Sequence, residues 1–572
     1  MSRKNKWSRR NSRKPWRKLG LAVVFLLSAY IVYRIFVPSH THIDPEWKGM
    51  DKPIFFADEV ERYSAAGTGA SLSLPLPVIQ AKIDDGVRYE KTTGSVILAT
   101  ADKLVRVQIG KRQGSLNNAA FNLNSAPSEQ DGVVYVPADL LEQVYGVEVE
   151  EDKPSGAVRV FMPGESIQHA EVKPDKAGRT SPLRLGASIH SPILTDVPPE
   201  AHVRILNREG DWYYAQTDSG YTGFIRTKLV KPGEKDEVPK QEPKVLPAVQ
   251  TWQSKRINMT WEAVYQVPAN PKNIGSLPGI NVVSPTWFEL ADAKGNVNSK
   301  GDAKYVKWAH SQGMQVWGLY SNSFSPELTT AAFATFETRT QAIKQLVGYA
   351  KQLDLDGINL DFENVKTTDG DNITQFVREL RPLARAQGLI VSMDVTPKSD
   401  SELWSKFLDR RALSGLIDYM ALMAYDEHWA ASPVAGSVAS LPWTEAALNK
   451  ILTEDAVPPS KLILGVPLYT RVWTETTKDG KTKVSSKAIG MSKAQSIIQQ
   501  YGLKPKMAAD TGQNFVQYNE DGAVKKIWLE DEDSLSQRVA LVKSLSLAGI
   551  ASWTRSFGSA DAWKVLGQVN AY

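Results

Sequence analysis

Cysteine is absent from this chain of 572 residues, and histidine is rare, with seven residues. Without thiols the protein has no disulfide, no cysteine nucleophile and no metal site built from cysteine. His428 has no second histidine at the spacing of a metal-ligand pair, and a lone histidine in a polar segment indicates a loop hydrogen bond instead. We therefore expect neither a metal nor another cofactor.

The chain also lacks an excess of basic residues beyond its first 18 positions. The formal net charge is +5, but residues 1–18 contain nine Lys or Arg and no acid. The other 59 basic residues are matched by 63 acidic ones. Because a nucleic-acid surface needs clustered positive charge, we expect no nucleic-acid partner.

A hydrophobic run follows these cations at residues 19–33, and a mixed segment extends it to residue 37. The pattern predicts a basic cytoplasmic arm (1–18) and a transmembrane signal-anchor (19–37) that places the remainder outside the cell. A cleaved signal peptide is the alternative, although no small-x-small site follows the run,. We expect a single-pass protein of the cell membrane with an extracytoplasmic catalytic region, or a secreted protein if the segment is cleaved. Export without cysteine is typical of a Gram-positive type of cell.

The chain is too long for one core, so several domains are expected. Residues 51–165 predict a small α+β module with a helix at 138–145. Its strands are predicted at residues 78–83, 95–99, 104–109, 132–136 and 157–161. The segment DGVVYVP at residues 131–137 and the helix behind it resemble the wall-associated module named after the copper amine oxidase N-terminus. No copper-binding histidine cluster is present, so the resemblance implies no copper chemistry.

Short strands with close turns are predicted over residues 168–231, at 201–206, 211–216 and 221–225. The segments REGDWYY (208–214) and SGYTGFI (219–225) resemble a bacterial SH3-like domain. This resemblance implies attachment to cell-wall peptide, and the alternative is a spacer whose aromatic residues fill a small barrel core. Residues 232–250 are rich in Pro, Lys and Glu and predict an extended linker,.

From residue 251 onward, apolar strands alternate with amphipathic helical stretches, which favours a parallel (β/α)8 barrel, the TIM-barrel fold, over 251–572. An inserted α+β lobe is predicted at 474–531, with a helix at 493–501 and strands at 515–518 and 525–529. The eight barrel strands are predicted at residues 257–260, 279–284, 315–320, 357–362, 390–395, 419–424, 462–467 and 549–553.

The fourth predicted strand places polar and apolar side chains on opposite faces. Because strand side chains alternate, Asn359, Asp361 and Glu363 point one way, and the intervening Ile, Leu and Phe point the other. In a parallel barrel the apolar face packs on the helices, and the polar face opens into a pocket at the carboxyl ends of the strands. Asp361 and Glu363 are therefore candidates for the floor of an active site.

Several motifs at these strand ends resemble those of glycoside hydrolase family 18, the chitinase-like family. The acidic signature Asp-Gly-x-Asp-x-Asp-x-Glu is matched, with one change, by DGINLDFE at residues 356–363. Met-x-Tyr-Asp is matched by MAYD at 423–426, Gly-x-Pro-x-Tyr by GVPLY at 465–469, and the eighth-strand tryptophan by Trp553. The amino-acid sequences of the first, fourth and sixth strands resemble those of the bacterial spore and wall hydrolases, a branch of this family.

The resemblance implies substrate-assisted hydrolysis with retention, an exception to the usual two-carboxylate mechanism. Glu363 would protonate the glycosidic oxygen, while the 2-acetamido group of the substrate attacks the anomeric carbon. Asp361 would orient the amide N–H, and Tyr425 would hydrogen-bond the acetamido oxygen. The resemblance also implies substrate contacts for the other matched residues: Asp426 holds the sugar, Trp553 forms the floor beneath it, and Met423 and Tyr469 line the pocket.

Asn359 departs from the chitinase pattern, in which an aspartate at this position shares a proton with the next one. An amide can donate and accept hydrogen bonds but cannot take up charge. We therefore expect Asp361 to stay ionised without a relay partner, and its charge to raise the pKa of Glu363. Asn359 is retained as a substrate-binding candidate, and Glu262 on the first strand is a secondary one.

The sequence thus predicts a membrane-tethered extracytoplasmic glycosidase that hydrolyses β-linked N-acetylglucosamine-containing glycan, with peptidoglycan as the favoured substrate. The expected partners are this polysaccharide, the cell wall through the SH3-like module, and the membrane through the N-terminal helix. One alternative is a chitinase or chitooligosaccharide hydrolase. The other is a catalytically weak glycan-binding protein of the cell wall or spore coat, although such proteins usually lose the acid that Glu363 retains.

Overall fold

The computed structural model describes residues 14–174, 177–240, 255–267 and 269–571. Residues 1–13 of the predicted arm and 241–250 of the predicted linker lie outside the described residues. The chain divides into two compact units. The first contains residues up to 87, 109–113 and 122–242, and the second contains residues 88–108, 114–121 and 243–572.

A helix over Lys14–Phe36 covers most of the segment for which a membrane anchor is predicted. Among the described residues, no helix meets both the length and the apolar character needed to cross a membrane.

The first unit contains the small sheets expected for an α+β module. One prediction is wrong: residues 78–83 do not form a strand, because the helix Leu76–Lys82 occupies them. Pro77 in its first turn favours helix initiation, and Leu76, Val78 and Ile79 are buried on one side,. The helix Ala138–Tyr145 has the predicted bounds. The strands are Pro53–Phe56, Glu59–Ser64, Glu148–Glu151 and Val158–Phe161 in one sheet, and Ser73–Pro75, Ser128–Gln130 and Val133–Pro137 in another.

A seven-stranded antiparallel sheet follows in the same unit, where the SH3-like domain is predicted. Its last strand extends into the predicted linker, because it pairs with the strand Ser166–Val172 along nearly its whole length. The SH3-like resemblance itself stays a prediction. The strands are Ser166–Val172, Ser181–Arg184, Ile193–Val197, His202–Glu209, Trp212–Thr217, Thr222–Arg226 and Val230–Glu237.

The second unit contains a closed parallel barrel of eight strands, as a TIM barrel requires,. The first strand pairs with the eighth, Ile257 opposite Gly549, and the second pairs with the third, Val282 opposite Gln315. All eight predicted strands are present, with bounds shifted by at most a few residues. Barrel strands 1 to 8 are Ile257–Glu262, Val282–Pro285, Gln315–Ser321, Gly357–Asp361, Ile390–Val395, Tyr419–Met423, Leu462–Pro467 and Gly549–Trp553.

Helices surround the barrel and share a continuous apolar core with the outer faces of its strands. A separate cluster, which includes Trp261, Trp317 and Tyr419, fills the barrel interior. The helices are Ala303–Ser311, Pro326–Phe333, Phe336–Leu353, Gly370–Arg385, Arg410–Leu416, Leu441–Thr453, Glu532–Ser544 and Ala560–Gly567, and the short strands Phe288–Leu290 and Val297–Ser299 adjoin strand 3.

Two further elements complete the second unit. A sheet built from Arg88–Glu90, Ser95–Ala99, Leu104–Gln108, Gln113–Leu116 and Ala119–Asn122 contributes Ile97 and Leu104 to the outer core of the barrel. The predicted inserted lobe is present as a five-stranded antiparallel sheet with one helix. It consists of strands Tyr469–Lys478, Lys481–Gly490, Lys506–Ala508, Gln513–Glu520 and Ala523–Trp528 and of helix Met491–Gln500.

Candidate active site

Strand 4 has the two-faced arrangement that its sequence predicts. Ile358, Leu360 and Phe362 are buried in the outer core against the helices. Asn359 and Asp361 alternate with them and so point into the barrel. Asp361 is the last residue of the strand, and Glu363 follows in the turn beyond it.

The backbone of Glu363 is held by Asn322, a buried residue that directly follows strand 3. The Glu363 N–H donates to Asn322 Oδ1 at 3.1 Å, and Asn322 Nδ2 donates to the Glu363 carbonyl at 2.8 Å. Two hydrogen bonds on one peptide segment fix the position of the acid. Sequence reasoning missed Asn322, since its partner lies on a neighbouring strand end.

Glu363 is half-buried, and its surroundings disfavour its charged form. Burial raises the pKa of Glu363 well above its ordinary value, and the nearby charges of Asp361 and Asp426 raise it further. A carboxyl group with a raised pKa retains its proton nearer to neutral pH, as a general acid must.

Asp394 on strand 5 is a third carboxyl group at this site, and sequence reasoning did not select it. It pairs in register with Asp361, so the two side chains lie side by side on the inner face,. Asp361 is 8% exposed and Asp394 is 1% exposed. Strand 5 carried a usable signal, because the order Ser-Met-Asp at 392–394 repeats the polar, apolar, acid alternation at 359–361.

Asn359 connects these two strands through hydrogen bonds. Its Nδ2 donates to Asp394 Oδ2 at 2.8 Å, and its Oδ1 accepts from the Ser392 hydroxyl at 2.7 Å. The indole Nε1 of Trp261 donates to the same Asp394 oxygen at 3.0 Å. The amide at position 359 therefore orients an acid, and no hydrogen bond of its side chain leads into the pocket.

The expectation that Asp361 lacks an acidic neighbour is wrong, because Asp394 lies beside it, and the expectation that Asp361 stays ionised remains a prediction. Burial raises the pKa of Asp361 well above its ordinary value, and the charge of Asp394 raises it further. Burial likewise raises the pKa of Asp394, although the donors Asn359 and Trp261 oppose that shift. An aspartate on the adjacent strand thus lies beside Asp361, while position 359 carries an amide.

Tyr425 and Asp426 follow strand 6 at the same end of the barrel. Burial raises the pKa of Tyr425 well above its ordinary value, and the neighbouring acids Asp394, Asp361 and Glu363 add to the effect, so its hydroxyl remains a hydrogen-bond donor. Asp426 is exposed, and its Oδ1 accepts a 2.5 Å hydrogen bond from the Tyr469 hydroxyl. Tyr469 and Met423 are buried beside them.

Trp553 lies half-buried at the end of strand 8, and the peptide bond that follows it is cis. Its ring is 6.1 Å from that of Trp261, which in turn is 6.4 Å from that of Tyr425. The three rings line the inner wall next to the carboxyl groups. The structure therefore brings Trp553 and Tyr425 to the same pocket, as the motifs predict.

Glu262 is held in an ion pair. Both of its carboxylate oxygens accept from the guanidinium of Arg555, and the Tyr305 hydroxyl lies 3.5 Å from Oε2. Its side chain is buried and occupied by these partners, which leaves no free oxygen for a sugar. Among the described residues, no group of three or more acidic or histidine side chains is arranged to hold a metal ion.

Two family models match the chain. Residues 304–558 match glycosyl hydrolases family 18, and residues 68–160 match the copper amine oxidase N-terminal domain. Both resemblances inferred from the motifs are thereby confirmed. The predicted ranges of the domains are wider than the matched ones and stay predictions.

Three curated relatives illustrate the range of similar proteins. YdhD, a glycosylase of Bacillus subtilis (strain 168) whose name describes it as sporulation-specific, is 29% identical over 245 residues, which cover 42% of this chain and 57% of that protein. The cortical fragment-lytic enzyme of the same organism is 25% identical over 257 residues, covering 44% and 58%. Chitinase 1 of Aphanocladium album is 25% identical over 251 residues, covering 40% and 57%.

The chain spans less than two thirds of the length of each of these three relatives. The family match covers barrel strands 3 to 8, including the acidic ends of strands 4 and 5. Residues 304–558 of this protein form a glycoside hydrolase family 18 domain.

Proposed function

We propose that this protein is an extracytoplasmic glycosidase that cleaves β-linked N-acetylglucosamine-containing glycan, with peptidoglycan as its substrate. One observation carries the proposal. The half-buried acid Glu363 stands at the end of strand 4 with a raised pKa, and the neighbouring carboxyl group of Asp361 adds to that shift. A proton donor at the mouth of a barrel is what cleavage of a glycosidic bond requires.

The surrounding side chains favour assistance by the substrate over attack by a protein carboxylate. Asp361 is almost fully buried, so it is better placed to orient an amide N–H than to reach an anomeric carbon. Tyr425 keeps its proton and can donate to the acetamido oxygen. These positions support a retaining mechanism in which the acetamido group is the nucleophile, followed by hydrolysis of the cyclic intermediate.

Exposed aromatic side chains support a polymeric glycan as the substrate. Phe324, Trp404 and Trp429 lie on the loops after strands 3, 5 and 6, all at the carboxyl end of the barrel. Trp429 is 56% exposed, so the face of its ring is open to a ligand. Sugar rings present apolar faces that stack on such side chains.

Peptidoglycan is favoured over chitin because two of the relatives have names tied to sporulation or to cortical fragments. Chitin oligomers are the second candidate, supported by the similarity to a chitinase and by the exposed aromatic loops. The extracytoplasmic location rests on the cationic and apolar N-terminal segments, and binding to the wall rests on the SH3-like resemblance. A weak glycan-binding role is opposed by the intact Glu363.

The test is to incubate the full-length chain with purified peptidoglycan strands and with chitin oligomers, and to identify products by mass spectrometry. Glu363→Gln should lower turnover by about 100- to 10,000-fold, because the general acid loses its proton while the shape is kept. Its matched control is Glu445→Gln, since Glu445 is exposed on the helix Leu441–Thr453.

The results separate the three candidates. Cleavage of peptidoglycan that depends on Glu363 supports the proposal, and faster cleavage of chitin oligomers favours the second candidate. Binding of either glycan without products, unchanged by Glu363→Gln, would identify the protein as a glycan-binding one.

A further inference from the structure

We propose that Asp394 is a positioning residue that shares one proton with Asp361, so that the two acids act as a pair across strands 4 and 5. This inference rests on the proposed function, because it assigns a role in the same reaction. Asp394 lies behind Asp361 and needs no contact with the glycan.

The register of strands 4 and 5 places the two acids next to each other. Asp361 and Asp394 are register partners on adjacent parallel strands. Neighbouring strands are about 4.8 Å apart, and partners in register point to the same face. Two carboxyl groups attached at that separation inside a barrel interact through their charges, and the Asp361 carboxyl group also shares a hydrogen bond with Glu363.

The hydrogen bonds distinguish the two oxygens of Asp394. Oδ2 accepts from both Asn359 and Trp261, at 2.8 and 3.0 Å. Oδ1 has no hydrogen-bond partner among the described residues, and neither does Oδ1 of Asp361. Each acid thus has one buried oxygen without a donor. A buried acceptor without a donor is costly, and a proton held between the acids would satisfy both.

The charges around the pair also require a proton. Trp261, Asn359 and Ser392 are neutral neighbours, and the titratable groups that face the pair are Glu363, Tyr425 and, further out, Asp426. No cation among the described residues offsets the charge of either acid. Two adjacent buried carboxylates cannot both ionise without a large cost, so the pair holds one proton near neutral pH.

The shared proton gives Asp361 a way to change its charge without exchanging protons with water. In the resting pair one proton is shared between Asp361 and Asp394, so part of the negative charge stays beside Glu363 and raises its pKa. As positive charge develops on the cyclised acetamido group, the proton passes to Asp394 and Asp361 becomes the anion beside that charge. One O–H bond breaks and one forms, so the pair keeps a net charge of minus one throughout.

Asp394→Asn tests the role with little change of shape, because the amide oxygen can still accept from Asn359 and Trp261. The decisive partner is the exchange variant Asn359→Asp/Asp394→Asn, which returns a second acid to the inner face one strand away. Asn359→Asp alone adds a third acid and controls for crowding. All variants are made in the full-length chain.

The first readout is the titration of Asp361, followed by ¹³C NMR of labelled aspartate carboxyl groups. Wild type should show two pH-dependent steps for Asp361, since the carboxyl groups titrate as a pair. Asp394→Asn should show one step, and the exchange variant should show two again. A single step in wild type, unchanged in Asp394→Asn, would overturn the proposal.

The second readout is the pH dependence of kcat and KM on the soluble substrate that wild type cleaves fastest. Asp394→Asn should lower kcat by about 10-fold with KM nearly unchanged, and it should move the acidic limb of the profile. The exchange variant should recover part of kcat. A loss that leaves the acidic limb in place and is not rescued by exchange would show a merely structural role and would contradict the proposal.

The two readouts also separate this proposal from the proposed function. If wild type cleaves neither glycan, the proposed function fails, and the NMR titration still decides whether the acids share a proton. If wild type cleaves glycan and Asp361 titrates in one step, the glycosidase assignment stands and the pairing of Asp361 with Asp394 is wrong.

Discussion

Two clusters of buried carboxyl groups in the second unit differ in how their charge is balanced. One is the arginine cluster, formed by Glu90, Arg339 and Glu379 where the sheet of residues 88–108 meets the helices around the barrel. The other is the acid pair, Asp361 and Asp394, at the ends of strands 4 and 5. All five side chains are nearly or fully buried.

In the arginine cluster, the guanidinium of Arg339 pairs with both carboxylates through dense hydrogen bonding. Arg339 donates through Nε and through one terminal nitrogen to the two oxygens of Glu379, at 3.0 and 2.7 Å, and that nitrogen also donates to Glu90. Gln375 Nε2 also donates to Glu379 Oε1, and the Phe336 N–H donates to Glu90 Oε2. Burial alone would lower the pKa of Arg339, but the two carboxylates raise it overall. Every charge in this cluster has a partner.

The acid pair has no such cation, and its remaining donors do not remove the repulsion. Burial raises the pKa of both carboxyl groups well above their ordinary values, whereas the smaller rise in the pKa of Glu379 is opposed by Arg339. The comparison shows that burial by itself does not determine what a carboxyl group does. A buried carboxyl group that pairs with an arginine holds two elements of the fold together. A buried carboxyl group without a cation tends to keep its proton, here at the site where chemistry is proposed.

The largest effect should come from removing the cation of the arginine cluster. Arg339→Met leaves Glu379 buried without a cation and leaves Glu90 only the longer ion pair with Arg88, at 3.8 Å, so the free energy of unfolding should fall by about 3 to 5 kcal/mol,. Urea denaturation followed by tryptophan fluorescence measures this loss. Lys344→Met is the matched control, because Lys344 is exposed on the same helix, Phe336–Leu353. A loss no larger than that of the control would show that the cluster contributes nothing to stability.

Replacing Asp394, one acid of the pair, should raise the free energy of unfolding, whereas replacing Arg339 should lower it. The folded-state pKa of Asp394 is raised, so the folded chain binds its proton more tightly than the unfolded chain does. The stability from this group is complete below the unfolded pKa of about 3.9 and is lost as pH rises through the folded value. The asparagine in Asp394→Asn does not titrate, so the variant keeps its stability as pH rises. Its free energy of unfolding should therefore increase relative to that of wild type with rising pH.

The free energy of unfolding of Asp394→Asn should exceed that of wild type by an amount that grows as pH rises through the folded pKa of Asp394,. Urea denaturation of both proteins in a series of buffers from acidic to alkaline pH measures it. The difference between the two free energies should be small at the acidic end. A constant difference at all pH values would mean that Asp394 titrates alike in the folded and unfolded chains.

The sequence predicts the local parts of both clusters and misses the long-range ones. The eight barrel strands and the helix Ala138–Tyr145 follow from hydrophobic periodicity, which neighbouring residues carry,. Asp361 and Glu363 follow from the alternation within one strand. Residues 78–83 were misassigned because a short apolar run does not distinguish strand from helix, and the proline in the first turn decided it,.

Pairings between distant residues are not encoded in any local pattern. Glu90 and Arg339 are 249 residues apart along the chain, and Asn359 and Asp394 are 35 apart. Only the register of strands 4 and 5 brings Asp394 beside Asp361. For the same reason Glu262 was chosen as a pocket residue, although its partner Arg555 occupies both of its oxygens.

The smallest predicted effect comes from one donor to the acid pair. Trp261→Phe removes the Nε1–H that donates to Asp394 Oδ2 at 3.0 Å and keeps most of the ring in the barrel interior. A donor favours the charged carboxylate, so its loss should raise the pKa of Asp394 further. The variant should lose about 1 kcal/mol relative to wild type where Asp394 is ionised, and less where it is protonated.

Trp317→Phe is the matched control for that experiment. Trp317 lies in the same interior cluster and donates through Nε1 to a neutral acceptor, Gln315 Oε1, at 3.1 Å. Its loss of stability should therefore be the same at every pH, whereas the loss from Trp261→Phe should grow as pH rises. In the Asp394→Asn background, that growth should vanish because the acceptor no longer titrates. If both tryptophan variants show the same flat loss, the indole of Trp261 acts only by packing, and Asn359 is left as the donor that holds Asp394.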